Sequence, residues 1–394
     1  MLERRRPIEL VPNYSLTGDL LSYMRCGLQY RYQSGSALPP SRPVQMWFGE
    51  FIHGIMETAY RLWVATPAPF PWPCTPTPFN SPTPANRAAH DIGTIGDLVE
   101  ATLTAAGKSP RSRDLRDSGY RRAELAVNEI GPALFPLIRS VEERVIGTRP
   151  LVMPAGVVGR ARMYELHGVM DVLSSVTVAG TANNVICDAV RAAVPNLPDG
   201  AEIIVDYKGS RRPPTTCPPT VSDYWAQGNW QLQMYAWLRS QQPGAAPVAA
   251  GVLLYVNELA LSLHDVAPLQ REVARGHTDA CPPAGSQDDY LLRTWRPGAG
   301  VPAFGAAFRM ARVIRVVPIT PPSITQALGQ FDSVVVDVES CVAREAQHGA
   351  IIAHWPAQGD DSTCDACDFR HFCPSPASGR TPGANYTPPA PNAP

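Results

Sequence analysis

Residues 202–210 read EIIVDYKGS, and no other stretch constrains the fold of this chain so tightly. Glu202 to Val205 supply the β-branched, apolar content of a strand interior, so the segment is expected to be a buried strand. A buried strand needs a sheet beside it and helices over that sheet, which points to an α/β domain. Asp206 and Lys208 then follow before Gly209 turns the chain away. Side chains two apart on a strand share a face. An acid and a base therefore stand together at the end of an apolar strand, where burying a charge is costly.

The remaining patterning fits one elaborated domain. Helical periodicity falls at 18–33, 45–63, 97–106, 120–143, 224–241 and 324–347, and strand signals fall at 164–178, 202–207 and 249–256. This predicts a small mixed sheet flanked by helices. With 394 residues and 44% hydrophobic content, a sizeable core is available. Prolines, 42 in all, interrupt the pattern unevenly. Residues 65–84 read as an extended, polyproline-like surface excursion, and 211–219 as a loop. The expected division is an N-terminal extension over 1–14, the domain over 15–374 and a disordered proline-rich tail over 375–394. The net charge of −1 excludes a globally basic surface, so any nucleic-acid contact must come from local patches. The N-terminus has no apolar signal core, and no run approaches the ~18 apolar residues of a membrane span. The expectation is a soluble cytoplasmic protein with no membrane partner.

Several other residues bear on the Asp206–Lys208 pair. LHGVMDVLSS carries one acid, Asp171, on a second apolar strand after Gly168. Two carboxylates on adjacent strands suit a divalent cation, which polarises a phosphate and activates water. Lys208 would then act by charge beside the reacting group. His53 lies in the amphipathic FGEFIHGIMETAYRLW, where a lone histidine is commonly a core residue but a neutral imidazole also ligates metal. Gln231 and Tyr235 in NWQLQMYAWLR are four apart on one helical face, a spacing equally suited to a buried hydrogen bond.

Nine cysteines, an odd number, do not make a disulfide framework. Cys364, Cys367 and Cys373 form C-x2-C-x5-C, and Cys26 is the candidate fourth thiolate, at the end of a helix whose start signal is Thr17. Four thiolates suit Zn²⁺ or an iron–sulfur cluster. Cys74, Cys187, Cys217, Cys281 and Cys341 have no metal-like spacing. AAGKSP at 105–110 has Thr102 where a Walker A loop needs its first glycine, so no ATPase is read. The basic run with Arg111, Arg113, Arg116, Arg121 and Arg122 reads as a solvated helix start with interleaved acids or as a phosphate track.

These motifs together resemble RecB-type nucleases of the PD-(D/E)XK superfamily, in the iron–sulfur branch that includes the CRISPR-associated adaptation nucleases and the nuclease domain of AddB. That branch has an N-terminal helix with a cysteine, a helical histidine, Gly-x-x-Asp, Asp-x-Lys, Gln-x-x-x-Tyr and a terminal cysteine triplet. The chain shows Cys26, His53, Gly168 to Asp171, Asp206 to Lys208, Gln231 to Tyr235, and Cys364, Cys367 and Cys373 in that order. The likeness spans roughly residues 15–374, with Gly27 where many relatives have proline or lysine. It implies a restriction-endonuclease-like α/β fold and DNA cleavage dependent on Mg²⁺ or Mn²⁺, often from single-stranded ends. It makes His53, Asp171, Asp206 and the Tyr207 carbonyl metal ligands. Asp171, Asp206, Lys208, Gln231 and Tyr235 become the catalytic set, with Lys208 as base or charge stabiliser. The four cysteines would hold a [4Fe–4S] staple, and the partners implied are DNA with a separate helicase, CRISPR or defence proteins. Two other classes stay open, a non-catalytic DNA-binding or scaffolding subunit and a zinc-stabilised binding module.

Overall fold

A computed structural model describes residues 11–35, 45–78, 81, 87–176, 183–215, 228–349, 351–359, 361–365, 367–370 and 373. Its frame is a mixed sheet of six strands, β1 (Asn13–Ser15), β2 (Ile138–Pro150), β3 (Met163–Val176), β4 (Ala201–Lys208), β5 (Val248–Tyr255) and β6 (Ile314–Pro318). The order is β1-β3-β4-β5-β6, with β2 paired to the other edge of β3. β4 runs antiparallel to β3 and parallel to β5, and β5 runs antiparallel to β6.

Both faces of the sheet are covered. Helices Gln45–Ala65, Ile92–Ala105 and Val185–Ala193 pack Phe51, Ile55, Ile92 and Ile186 against Ile203 and Val205. On the other face, helices Asn229–Ser240 and Pro321–His348 bring Trp230 and Phe331 against Ile204, and Leu16 and Tyr30 of the N-terminal segment join the same core. Every residue of β4 except Lys208 is buried. A strand covered on both faces reads as an unbroken apolar run, which is why residues 202–205 carry so clear a signal.

β3 positions the site. One of its edges pairs with β2 throughout, while the other pairs with β1 at Glu165–His167 and with β4 only at Val172–Val176. Beyond Val205, β4 leaves β3 and continues alone beside β5 as far as Lys208. Asp171 and Asp206 stand where the two strands part.

The structure corrects several expectations. The helix expected over 120–143 stops early. Helix Arg113–Leu125 continues as short π-, α- and 3₁₀-helical segments to Leu137, and β2 begins at Ile138. Pro132 and Pro136 each sit in the first turn of one of those segments, where a missing amide hydrogen is tolerated, and alternation takes over from Ile138. The proline-rich segment is not purely a surface excursion. Trp72 is buried, stacks on Phe70 and donates its backbone N–H to Asn128 Oδ1 (2.7 Å). The sheet begins at Asn13, inside the stretch expected to be an extension. The first helical turn is capped by Ser15, whose Oγ accepts from Gly18 N (3.0 Å), rather than by Thr17. Strands β1 and β6 and the four helices Val185–Ala193, Leu263–Arg275, Gln287–Thr294 and Ala306–Val313 add to the expected elements. The last three surround a small separate core of Leu269, Leu292, Trp295 and Phe308. Residues 1–10, 216–227 and the tail from 374 lie outside the described residues. Among the described residues, no helix is long and apolar enough to cross a membrane.

Candidate metal centre

Where β3 and β4 diverge, Tyr207 would continue the ladder, but its N–H donates instead to Asp171 Oδ2 (2.8 Å). Its carbonyl lies 3.0 Å from His53 Nε2, and His53 Nδ1 lies 3.4 Å from Asp171 Oδ2. The helical histidine thus faces the strand ends rather than the core. Its side chain is 30% exposed and that of Asp171 is 11% exposed. The close approach of this helix is local to the strand end, where Gly49 and Gly209 allow backbone to meet backbone; a Cβ on Gly209 would sit 3.3 Å from the Gly49 Cα.

The second half of the site is a hydrogen-bonded chain. Lys208 Nζ sits 2.5 Å from Asp206 Oδ2 and donates to Gln231 Oε1 (2.8 Å). Gln231 Nε2 donates to Asp206 Oδ1 (3.2 Å) and lies 3.2 Å from the Tyr235 hydroxyl. The buried Gln–Tyr pair expected from spacing exists, and it also fixes the ammonium. Gly168, the first residue of Gly-x-x-Asp, has a steric reason: a Cβ there would lie 2.6 Å from Tyr235 Cε1. The glycine lets the ring press against β3, so the two motifs depend on each other.

Charge in the site is interlocked. Burial and the nearby Asp171 raise the Asp206 carboxyl, with Lys208 pulling the other way. Burial opposes the charge on Lys208, but Asp206 and Asp171 hold its pKa above the usual lysine value. Burial likewise works against a charged His53, yet Asp171, Asp206 and the Tyr207 carbonyl hold it up at about 9. The proton on His53 supplies positive charge where a cation would otherwise do so, so cation binding there must release a proton.

Glu142, on β2, escapes a reading from sequence. His53, Glu142 and Asp171 each offer a ligand atom, and these atoms lie within 4.8 Å of one another, the one such trio of His, Cys, Asp or Glu among the described residues. A cation ~2.0–2.6 Å from each ligand bridges donors up to ~5 Å apart, so these residues fit a divalent ion. Asp206 lies outside this trio, with its oxygens turned to Lys208 and Gln231. Only the pairing of β2 with β3 brings Glu142 here, and IRSVEERV by itself shows nothing but an alternating strand.

The four cysteines expected to form one set come together. Cys26, Cys364, Cys367 and Cys373 line a single cavity with Leu28, Tyr32 and Phe369. Cys26 interrupts two helices, Leu21–Arg25 and Gly27–Gly35, with an extended backbone that turns it out of the helical path. Gly27 is explained by Pro356, whose Cγ would lie 2.8 Å from a Cβ at that position. Phe369 is buried and stacks on Tyr32 at 4.9 Å. Burial and the other three thiols push the Cys367 thiol up to about 11, with the backbone of Phe369 pulling the other way. His371 and Phe372 lie outside the described residues.

Two other cations singled out in the sequence, Lys108 and Arg116, are held by carboxylates. Lys108 of the Walker-like segment is held by both oxygens of Glu50 at 2.5 Å. In the basic run, Arg116 is buried against Glu100 and Asp97, and Ser112 caps the helix that starts at Arg113. Cys341 is buried beside Tyr23, away from the other thiols' cavity, and Cys217 lies outside the described residues.

No curated protein matches the chain. The family model for the PD-(D/E)XK nuclease superfamily matches residues 192–374, a span that contains Asp206, Lys208, Gln231, Tyr235 and the cysteine triplet, so that part of the chain is similar to PD-(D/E)XK nuclease superfamily domains.

Proposed function

We propose that this protein is a divalent-metal-dependent deoxyribonuclease that works on single strands or DNA ends, with its terminal segments joined by an iron–sulfur cluster. The observation that carries the reading is the meeting of His53, Asp171, the Tyr207 carbonyl and the Asp206–Lys208 pair at one strand divergence, with Asp206 to Lys208 inside the stretch that matches a nuclease superfamily. When bound, the cation supplies charge to polarise the scissile phosphate and acidify a water molecule. The protein's own groups do the rest. His53 and Asp171 would hold the cation, and Asp206 and the Tyr207 carbonyl would join them on giving up their contacts to Lys208, Gln231 and His53. Lys208 keeps its ammonium aimed at the developing phosphate charge, held by Asp206 and Gln231 in a mostly buried setting where such charge counts most. Tyr235 fixes Gln231 from behind.

The cysteine cavity supports the cluster. Its four thiols, brought from the two ends of the chain, are lined by Leu28, Tyr32 and the buried Phe369, an apolar setting that would shield a thiolate-bound inorganic core. A separate helicase, or CRISPR-adaptation or defence proteins, belong to the proposal through the sequence resemblance alone.

The test is cleavage of end-labelled linear and circular single strands and duplexes, with Mg²⁺, Mn²⁺ or chelator. Wild-type protein should cut only with a cation, and Asp171→Asn should be slower by at least ~10²-fold. Attack on linear but not circular strands marks the exonuclease. Chelator-resistant cutting, or full activity in Asp171→Asn, would remove the assignment.

A further inference from the structure

β2 brings a carboxylate to the metal centre from the edge of β3 opposite β4. We propose that Glu142 is a further protein ligand of the cation, joining the imidazole of His53 and the carboxylate of Asp171 in a mixed nitrogen and oxygen set that favours manganese over magnesium. The inference rests on the nuclease reading and deepens it.

Strand register places the residue. Val141 pairs with Val172 and Glu143 with Met170, which sets Glu142 across from Asp171. Its conformation is unusual as well. Glu142 has φ +52°, left-handed backbone that suits glycine or asparagine better than a glutamate. The backbone leaves the regular strand at the residue whose carboxylate reaches the centre. Charge points the same way. Glu57, four residues after His53 on the same helix, is paired to Arg61 (2.7 Å), and His53 is already shared with Asp171. Glu142 is exposed on β2, and its carboxylate oxygen lies within 4.8 Å of the ligand atoms of His53 and Asp171. A cation among these groups would answer all three carboxylates at once.

The donor types set the metal preference. Imidazole draws first-row transition metals, whereas carboxylate oxygens suit Mg²⁺, Ca²⁺ and Mn²⁺. Manganese meets both tendencies, and magnesium prefers an all-oxygen shell with several waters.

The experiment is an electron paramagnetic resonance titration of the chelator-treated full chain with Mn²⁺, repeated in competition with Mg²⁺. Wild type, Glu142→Gln, Glu142→Gly and Asp171→Asn are compared. Wild type should bind Mn²⁺ well ahead of Mg²⁺, and both Glu142 variants should bind Mn²⁺ ~tenfold or more weakly. Glu142→Gly also relieves the left-handed backbone, so its metal-free form should melt no lower than wild type, which separates ligand loss from misfolding. Equal Mn²⁺ affinity in wild type and Glu142→Gln, with loss only in Asp171→Asn, overturns the role of Glu142 and leaves the nuclease standing. Equal affinity of wild type for Mg²⁺ and Mn²⁺ overturns the selectivity. Wild type that binds neither ion and cuts no DNA overturns both readings.

Discussion

Lys208→Met is expected to slow DNA cleavage at saturating DNA by ~10²–10³-fold while changing DNA affinity little. Methionine keeps most of the aliphatic stem, so the backbone at Gly228, where an added Cβ would lie 3.3 Å from the Lys208 Cε, keeps its neighbour. What disappears is the ammonium 2.5 Å from Asp206 and its bond to Gln231. Removing Asp206 instead would leave a mostly buried ammonium short of its counter-charge, a change that commonly costs several kcal/mol of stability. Lysine is therefore the cleaner partner to replace, because Asp206, already raised by burial, can take up a proton once its cation is gone. Single-turnover cleavage with saturating DNA, beside DNA binding measured with Ca²⁺, separates the two effects. Lost affinity with an unchanged saturated rate would make Lys208 a phosphate anchor rather than a catalytic group.

Cys26→Ser should bleach the protein and weaken the whole fold. Anaerobically purified wild type is expected to be brown, with broad absorbance near ~400 nm from thiolate-bound iron–sulfur. Cys26 and Cys364 are separated by more than 300 residues. Cross-linking a loop of ~100 residues already restricts the unfolded chain by about 5 kcal/mol in the chain-entropy picture, and longer loops by more. The same cross-link holds the Cys26 helix break against Pro356, where Leu28 N donates to the Pro356 carbonyl (2.9 Å). Cys281→Ser, at an exposed thiol outside the cavity, should keep both colour and stability. A colourless wild type holding one tight zinc would replace the cluster and leave the nuclease reading untouched. Metal analysis and denaturant unfolding under nitrogen decide between them.

The residues legible in sequence are those whose spacing is set locally. Asp206 and Lys208 share a strand face, and Gln231 and Tyr235 share a helix face, so two or four positions of separation already state a contact. Residues 202–205 announce a covered sheet because both faces of β4 are apolar. Glu142 is invisible for the opposite reason. It owes its place to a register with β3 and to a left-handed backbone, neither of which alternation encodes. β1 has three residues and β6 five, too short for a period to emerge, and tertiary pairing makes them strands. A helix through 120–143 overruns at its end: the helical path holds to Leu137, and residues 138–143 belong to β2 through their pairing with β3. Trp72 shows that a proline-rich composition describes backbone conformation better than it describes burial.

The placement of β1 has a consequence for synthesis. Its Tyr14 bonds Glu339, 325 residues later, and Glu339 also holds Arg160. Arg31, in the following helix, is buried on Glu345. At ribosomal speeds of ~5–20 residues per second, the first segment waits roughly 15–65 s for those partners. During that wait Leu16, Leu20 and Tyr23, all buried in the finished protein, can meet Leu166, Ile204 and Trp230 but lack the Phe331 and Val335 side of their core. Nascent chains halted before Phe331 should be cut by protease within residues 13–35 and full-length chains should not; equal resistance would show that the segment docks earlier. The fold would thus come off the ribosome unfinished, with the N-terminal strand and the helix that carries Glu339 sealing last.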